Sequence, residues 1–144
     1  MFSKACTYGI RAVIHLCLNT STEMKMGVSD LSLALDMPKH FLAKILQQLA
    51  KADVISSVKG PGGGFYMNKR NRGMKLYDII TCIDGPQSME GCILGLPVCS
   101  SSNPCALHFQ ALAYREGLFY QLKRMTIEEV ARGSNTTQIE KSLP

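Results

Sequence analysis

This chain of 144 residues has no apolar run long enough to cross a bilayer, so no membrane partner is expected. No secretory signal is expected either. Lys4, Arg11 and His15 interrupt what would be its apolar region, and no small-residue cleavage site follows. The expected compartment is therefore the cytoplasm, where thiols stay reduced. Tryptophan is absent, whereas aliphatics are plentiful. No catalytic constellation can be assembled either. Asp78, Asp84 and Glu90 are scattered, and no serine–histidine–acid set is visible, so an enzyme is not expected. The glycine run ending at Gly64 is no nucleotide loop. Phe65 stands where a dinucleotide fingerprint needs glycine, and no Gly-Lys-Ser/Thr follows.

What the chain does have is cysteine, gathered in one place. Three of its six cysteines, Cys92, Cys99 and Cys105, lie between Gly91 and His108 with the spacing C-x6-C-x5-C-x2-H. Gly95, Pro97, Ser100, Ser101, Ser102, Asn103 and Pro104 between them are turn residues. A loop that gathers soft ligands is how a chain wraps a thiophilic metal or an iron–sulfur cluster. The bland alternative is a set of unrelated thiols.

Charge is unevenly placed. Residues 1–75 carry eleven Lys/Arg against four Asp/Glu, a net of +7; residues 76–144 carry five against seven, a net of −2. A basic front half suggests a polyanionic partner, and its alternative is a solvated basic face.

Taken in order, residues 3–19 have the apolar period of a helix, with Cys6 and Cys17 on the buried stripe and His15 off it, at the surface. A short helix is expected from an N-cap at Ser29. After Asp36-Met37-Pro38 a second helix runs from about Pro38 to Ala52. Phe41, Leu42, Ile45, Leu46 and Leu49 make its buried face; His40, Ala43, Lys44, Gln47 and Lys51 share the exposed one. This is a helix-turn-helix pattern, and such a face can meet phosphates and base edges. The plain alternative is a helical hairpin with a polar outer side.

A strand at 54–58, a turn from Lys59 through Gly60 and Pro61 to Gly64, and a strand at 65–67 then make a β-hairpin, so the whole reads as a winged helix. Lys59 opens the turn, and Lys69, Arg70, Arg72 and Lys75 follow it, supplying charge for a nucleic acid. Leu76, Ile79, Ile80 and Ile83 mark a further short helix, with Cys82 packing beside its stripe. A long helix is expected from Ala106 to about Met125. It is apolar on more than one face, so a second subunit is the expected cover. Thr126-Ile127-Glu128-Glu129 is a capping box that starts a last helix ending at Gly133. Residues 134–144 are polar and expected to be disordered.

With these parts in place, the chain resembles the iron–sulfur-sensing winged-helix repressors of bacteria typified by IscR and NsrR. The resemblance runs from Ser3-Lys4 through Ala131. Its most specific pieces are the wing signature Ser57-Val58-Lys59-Gly60-Pro61-Gly62-Gly63-Gly64-Phe65 and the three-cysteine loop. It implies a homodimer held by the long helix, with recognition helices in major grooves and wings in minor grooves of a double-stranded operator. It implies that Cys92, Cys99 and Cys105 are cluster ligands and that His108 is the fourth, as in the IscR branch. The nitric-oxide-sensing branch borrows a carboxylate from the partner's first helix. Here that region reads Ala5-Cys6-Thr7-Tyr8, which favours [2Fe–2S] over [4Fe–4S] and leaves Cys6 as the next candidate ligand. Lys59 replaces the usual wing arginine, Ala43 replaces a recognition-helix glutamate, and the first cysteine interval is one residue longer.

The fold class expected is mainly α with a small β-hairpin: a winged helix-turn-helix over residues 1–84, a cysteine-rich loop over 85–108, and dimerisation and terminal helices over 106–133. The function expected is a DNA-binding regulator, a repressor, that senses iron–sulfur, redox or nitric oxide status. Its DNA-facing residues would be His40, Ala43, Lys44, Gln47, Lys59, Gly60, Pro61, Lys69 and Arg70. One alternative is a cluster-free regulator whose loop binds zinc or forms a regulatory disulfide. Another, of a different class, is an electron-transfer iron–sulfur protein.

Overall fold

The first apolar stripe folds as α1, Lys4–Asn19. Ser3 caps it: its Oγ accepts from the Cys6 N–H at 3.0 Å. In the computed structural model, which describes residues 2–134, α1 is the central post of the molecule. It is packed by α3 (Lys39–Lys51), α5 (Leu76–Asp84) and α7 (Ile127–Gly133). Cys6 and Cys17 are buried on it as expected. His15 is not at the surface; only 5 % of it is exposed, and Arg11 is buried beside it, donating to the Leu35 carbonyl at 3.1 Å. The period of one helix marks its most apolar face. It cannot show that neighbours will cover the others too.

The helix-turn-helix follows. Its first helix is α2, Val28–Leu35, and it is Gly27, not Ser29, that occupies the N-cap. Asp36 closes α2 in the left-handed region at φ 50°. The Ser32 hydroxyl donates to the Met37 carbonyl at 2.6 Å, and Met37 is buried. Pro38 then caps α3, whose Leu42, Ile45, Leu46 and Leu49 are buried. The tight turn between α2 and α3 is thus held by one hydroxyl and one core methionine.

The wing is shorter than its β-branched sequence suggests. The paired strands are β1 (Ser56–Val58) and β2 (Gly64–Tyr66), antiparallel with Ser57 opposite Phe65. Val54 and Ile55 turn into the core, each 1 % exposed, so they anchor the wing and do not extend its ladder. Met26 adds a third short rung: its N–H donates to the Phe65 carbonyl at 2.9 Å, and the Phe65 N–H donates back at 2.7 Å. At the tip Gly60 and Gly62 have φ of +87° and +74°, where side chains are strained. Gly63 is tighter still: a Cβ there would run into the Val58 carbonyl and lie 2.8 Å from the Gly60 oxygen. Gly63→Ala is expected to displace the turn and cost about 1–3 kcal/mol, read as a lowered thermal midpoint and weakened DNA binding. An unchanged midpoint and unchanged affinity would show that the turn is not so constrained.

The basic segment after the wing is a helix, α4 (Lys69–Gly73), which the sequence reading did not anticipate. Asn68 and Asn71 cap it reciprocally. Asn71, 2 % exposed, also donates to the Asp53 carbonyl at 2.9 Å and accepts from Ser56 Oγ at 2.8 Å. One buried amide therefore bolts the root of the wing to the body. Arg72 is structural, not DNA-facing: it donates to the Cys17 carbonyl at 2.6 Å and the Thr20 carbonyl at 2.7 Å. The Lys75 ammonium likewise donates to the Arg124 carbonyl, at 3.0 Å.

After α5 the chain enters the cysteine loop and leaves it as α6, His108–Arg124, two residues later than the period suggested. α6 packs on α5 through a satellite core of Cys6, Ile80, Met89 and Leu122. The outer side of α6 is bare: Phe109 is 56 %, Leu112 39 % and Tyr120 57 % exposed. The capping box at Thr126 forms as expected, and the helix it starts, α7, returns onto α1. Of the expected disordered tail, residues 135–144 lie outside the described residues.

Candidate metal centre and nucleic-acid interface

The cysteine loop has little apolar cover and is shaped by short-range turns. The Gly95 N–H donates to the Cys92 carbonyl at 3.0 Å, Ser100 and Asn103 exchange backbone bonds, and the His108 N–H donates to the Cys105 carbonyl at 3.1 Å. Arg115 on α6 holds the entrance by donating to the carbonyls of Glu90 and Gly91. Met89 plugs the same entrance into the satellite core. No spacing in the sequence pointed to Arg115, because its partners are backbone oxygens some two dozen positions away.

These turns bring the three thiols together. The sulfurs of Cys92, Cys99 and Cys105 all lie within 4.8 Å of one another, and Cys92 Sγ is 3.7 Å from Cys105 Sγ. The fourth expected donor is adjacent: His108 Nδ1 lies 3.2 Å from Cys99 Sγ, while Nε2 lies 3.3 Å from Ser101 Oγ. His108 thus joins the group through Cys99. The backbone N–H of Leu96, with that of Leu94 and the neighbouring thiols, pulls the Cys92 thiol down to about 7. For Cys99 the Cys105 N–H pulls down, but burial and the Cys105 and Cys92 thiols outweigh it and the net direction is up. Crowded thiols that share protons in this way suit a cation that replaces those protons. Three clustered thiols and one ring nitrogen on a half-exposed loop therefore fit an iron–sulfur cluster.

Cys6 does not fit the role of fourth ligand donated by a partner. It is fully buried beside Ile80 and Leu122, and burial, with Asp84 nearby, pushes its thiol up to about 12. Cys82 is also a packing residue, with its Sγ 3.6 Å from the Gln48 carbonyl.

On the DNA side, His40, Lys44 and Gln47 are exposed on α3, and Ala43 between them is half-buried. Lys59, Gly60 and Pro61 are exposed at the wing, and Gln47 and Lys59 line one groove. Lys69 and Arg70 are exposed on α4. Lys69 borders a different cleft, with Ser21, Thr22 and Glu128, so it does not share the groove of α3 and the wing.

A helix-turn-helix followed by a two-stranded wing is the architecture of a winged-helix DNA-binding protein. Known proteins narrow this further. The Rrf2 family, described as iron-dependent transcriptional regulators, matches residues 2–133, and the chain belongs to it. A helix-turn-helix-type regulator of Aquifex aeolicus is 34 % identical over 110 residues, covering 75 % of each chain. IscR of Klebsiella pneumoniae is 24 % identical over 92 % of this chain and 80 % of its own. Among solved structures, CymR, the global cysteine regulator of B. subtilis, is similar in fold with a TM-score of 0.73 at 20 % identity, over 94 % of this chain and 98 % of that one. T. potens IscR gives 0.70 at 18 % identity, over 99 % and 93 %. The chain is a transcriptional regulator that binds DNA, and its relatives are regulators, not enzymes. No helix among the described residues is long and apolar enough to cross a membrane.

Proposed function

We propose that this regulator is a cytoplasmic, homodimeric repressor that senses iron–sulfur, redox or nitric oxide status through a cluster in the 91–108 loop. The observation that carries the reading is the mutual approach of Cys92, Cys99 and Cys105 within 4.8 Å, with His108 3.2 Å from Cys99. The three thiolates and the His108 ring hold the cluster, and the mixed donor set favours [2Fe–2S]. When bound, such a cluster supplies electron exchange and reactivity toward oxidants or nitric oxide. The protein's own part is to gather the donors and to tie them, through Met89 and Arg115, to α6 and α5. α5 in turn touches the recognition helix: Gln48 Nε2 donates to the Cys82 carbonyl at 2.8 Å. On DNA, Lys44, Gln47 and His40 read the major groove, and Lys59, Gly60 and Pro61 enter the minor groove. Lys69 and Arg70 supply further phosphate contacts.

The test is the visible spectrum and redox titration of protein purified without oxygen. Wild type is expected to be coloured and to bind its operator with an affinity that changes when the cluster is removed. A neutral imidazole leaves the site less negative than a fourth thiolate does, which raises the potential. His108→Cys is therefore expected to keep the colour at a lower potential, and His108→Ala to weaken or bleach it. An unchanged spectrum and potential in both variants would move the fourth ligand elsewhere. Colourless protein with bound zinc would support the cluster-free alternative.

A further inference from the structure

Cys92 borders two spaces. One is the gathering of thiols; the other is a cavity of about 350 Å3 between the loop and α6. Met89, Cys92 and Ile93 line this cavity from the loop side, and Ala111, Tyr114 and Arg115 from α6. Cys99, Cys105 and His108 are not among its lining residues, so it is not the seat of the cluster itself. We propose that the cavity is an effector site for a small monocarboxylate with an apolar body, whose carboxylate sits on Arg115. The inference takes the loop's role as a cluster holder from the reading above; the binding itself does not depend on it.

Charge is the first argument. Arg115 is half-buried, and its bonds go to the neutral carbonyl oxygens of Glu90 and Gly91. Among the described residues no carboxylate pairs with it, and none lines the cavity. A guanidinium carries more N–H donors than those carbonyls use, so an anion can share it with them. The rest of the wall is the second argument. Met89, Ile93, Ala111 and Tyr114 offer apolar surface, with Ile93 56 % and Tyr114 60 % exposed. The Tyr114 side chain has no hydrogen-bond or ring partner among the described residues. A phosphate would leave these side chains unused and would meet a single cation. A neutral apolar molecule would strip water from the guanidinium and give nothing in return. A monocarboxylate with a short apolar body matches both surfaces, and the cavity is in the size range of small-molecule sites. Position is the third argument. Ala111 and Arg115 lie about one and two turns along α6 from His108, on the same face. An occupant therefore touches both the helix that presents one proposed donor and the loop residue that presents another. Bound there, it ties the loop at Cys92 and Ile93 to α6. It binds the gathered loop better than an opened one, so it shifts the balance toward the arrangement in which the thiols converge. Cluster loss through the opened loop is then slowed.

The test uses full-length protein purified without oxygen, with hexanoate as the probe and hexan-1-ol and inorganic phosphate as controls. Saturation-transfer NMR and calorimetry read the binding. Wild type is expected to bind hexanoate saturably and roughly tenfold more tightly than hexan-1-ol, the scale of one charge-assisted contact. Arg115→Gln should erase that preference, and Arg115→Lys should keep part of it. Tyr114→Ala leaves the Arg115 bonds to Glu90 and Gly91 in place, and should weaken hexanoate and hexan-1-ol alike, several-fold. With an iron chelator present, hexanoate should slow the bleaching of wild type several-fold and leave that of Arg115→Gln unchanged. Faster bleaching of Arg115→Gln, with no response of wild type to hexanoate, would reduce Arg115 to a structural clamp and overturn the proposal. Equal binding of hexanoate and hexan-1-ol by wild type, or tighter binding of phosphate than of hexanoate, also overturns it. Two further outcomes separate this site from the cluster. Coloured protein that binds no hexanoate removes the site and leaves the cluster reading intact. Colourless protein whose hexanoate binding still depends on Arg115 and Tyr114 keeps the site and removes the cluster reading.

Discussion

Replacing Cys92, Cys99 or Cys105 singly by alanine is expected to abolish the visible absorption of anaerobically purified protein. Each change removes one of three clustered thiol donors, and no other cysteine can substitute. Cys6 and Cys17 are buried in packed cores, and Cys82 is turned toward α3. The fold should survive, because the three loop cysteines are half-exposed and outside both hydrophobic cores. Cys6→Ala is the contrasting control. It should keep the colour and lose about 1 kcal/mol of stability, the scale of deleting one small buried group. Iron and sulfide assays beside circular dichroism read both effects. Full colour in all three loop variants would sink the ligand assignment. Loss of colour in Cys6→Ala with intact folding would reinstate Cys6 as a donor.

The second large effect is expected at α6. Leu112 and Tyr120, two turns apart, are 39 % and 57 % exposed, and Phe109 extends the bare side. A helix this apolar on its outer side is stable in water when a second copy covers it. Leu112→Glu with Tyr120→Glu places two carboxylates in the proposed subunit contact. The double variant is expected to sediment as a monomer and to bind its operator roughly 100-fold more weakly. Two tethered half-site contacts gain about 10²–10⁴ in avidity over one, and the monomer forfeits it. Neither side chain belongs to the cores within the chain, so the helical content should be retained. Persistence of a dimer in the double variant would place the subunit contact on another face.

The local signals were strong where a residue's role is decided by its near neighbours. The Thr126–Glu129 capping box, the buried stripe of α3 and the glycine turn of the wing each follow from a few consecutive residues. The cysteine loop was legible for the same reason: its thiols are close in sequence, and turn residues between them allow no long excursion. The family resemblance rested on these same segments, and the match of the Rrf2 family over residues 2–133 agrees with it.

What stayed hidden involves partners far along the chain. Arg72 looked like one more phosphate contact, but it is bound to the carbonyls of Cys17 and Thr20, more than fifty positions away. His15 looked exposed because a helical stripe does not register that α1 is enclosed by three other helices. Val54 and Ile55 had strand composition and became core anchors, since burial stabilised them more than two further rungs on a short hairpin. The sequence by itself determined the winged helix, the grouping of three cysteines in one loop and the basic front half, because apolar period, turn chemistry and spacing are local properties. Only the tertiary structure decided which cations are free to meet DNA, which thiols face one another and which are sealed away. Those outcomes depend on distances between segments, which no local pattern encodes.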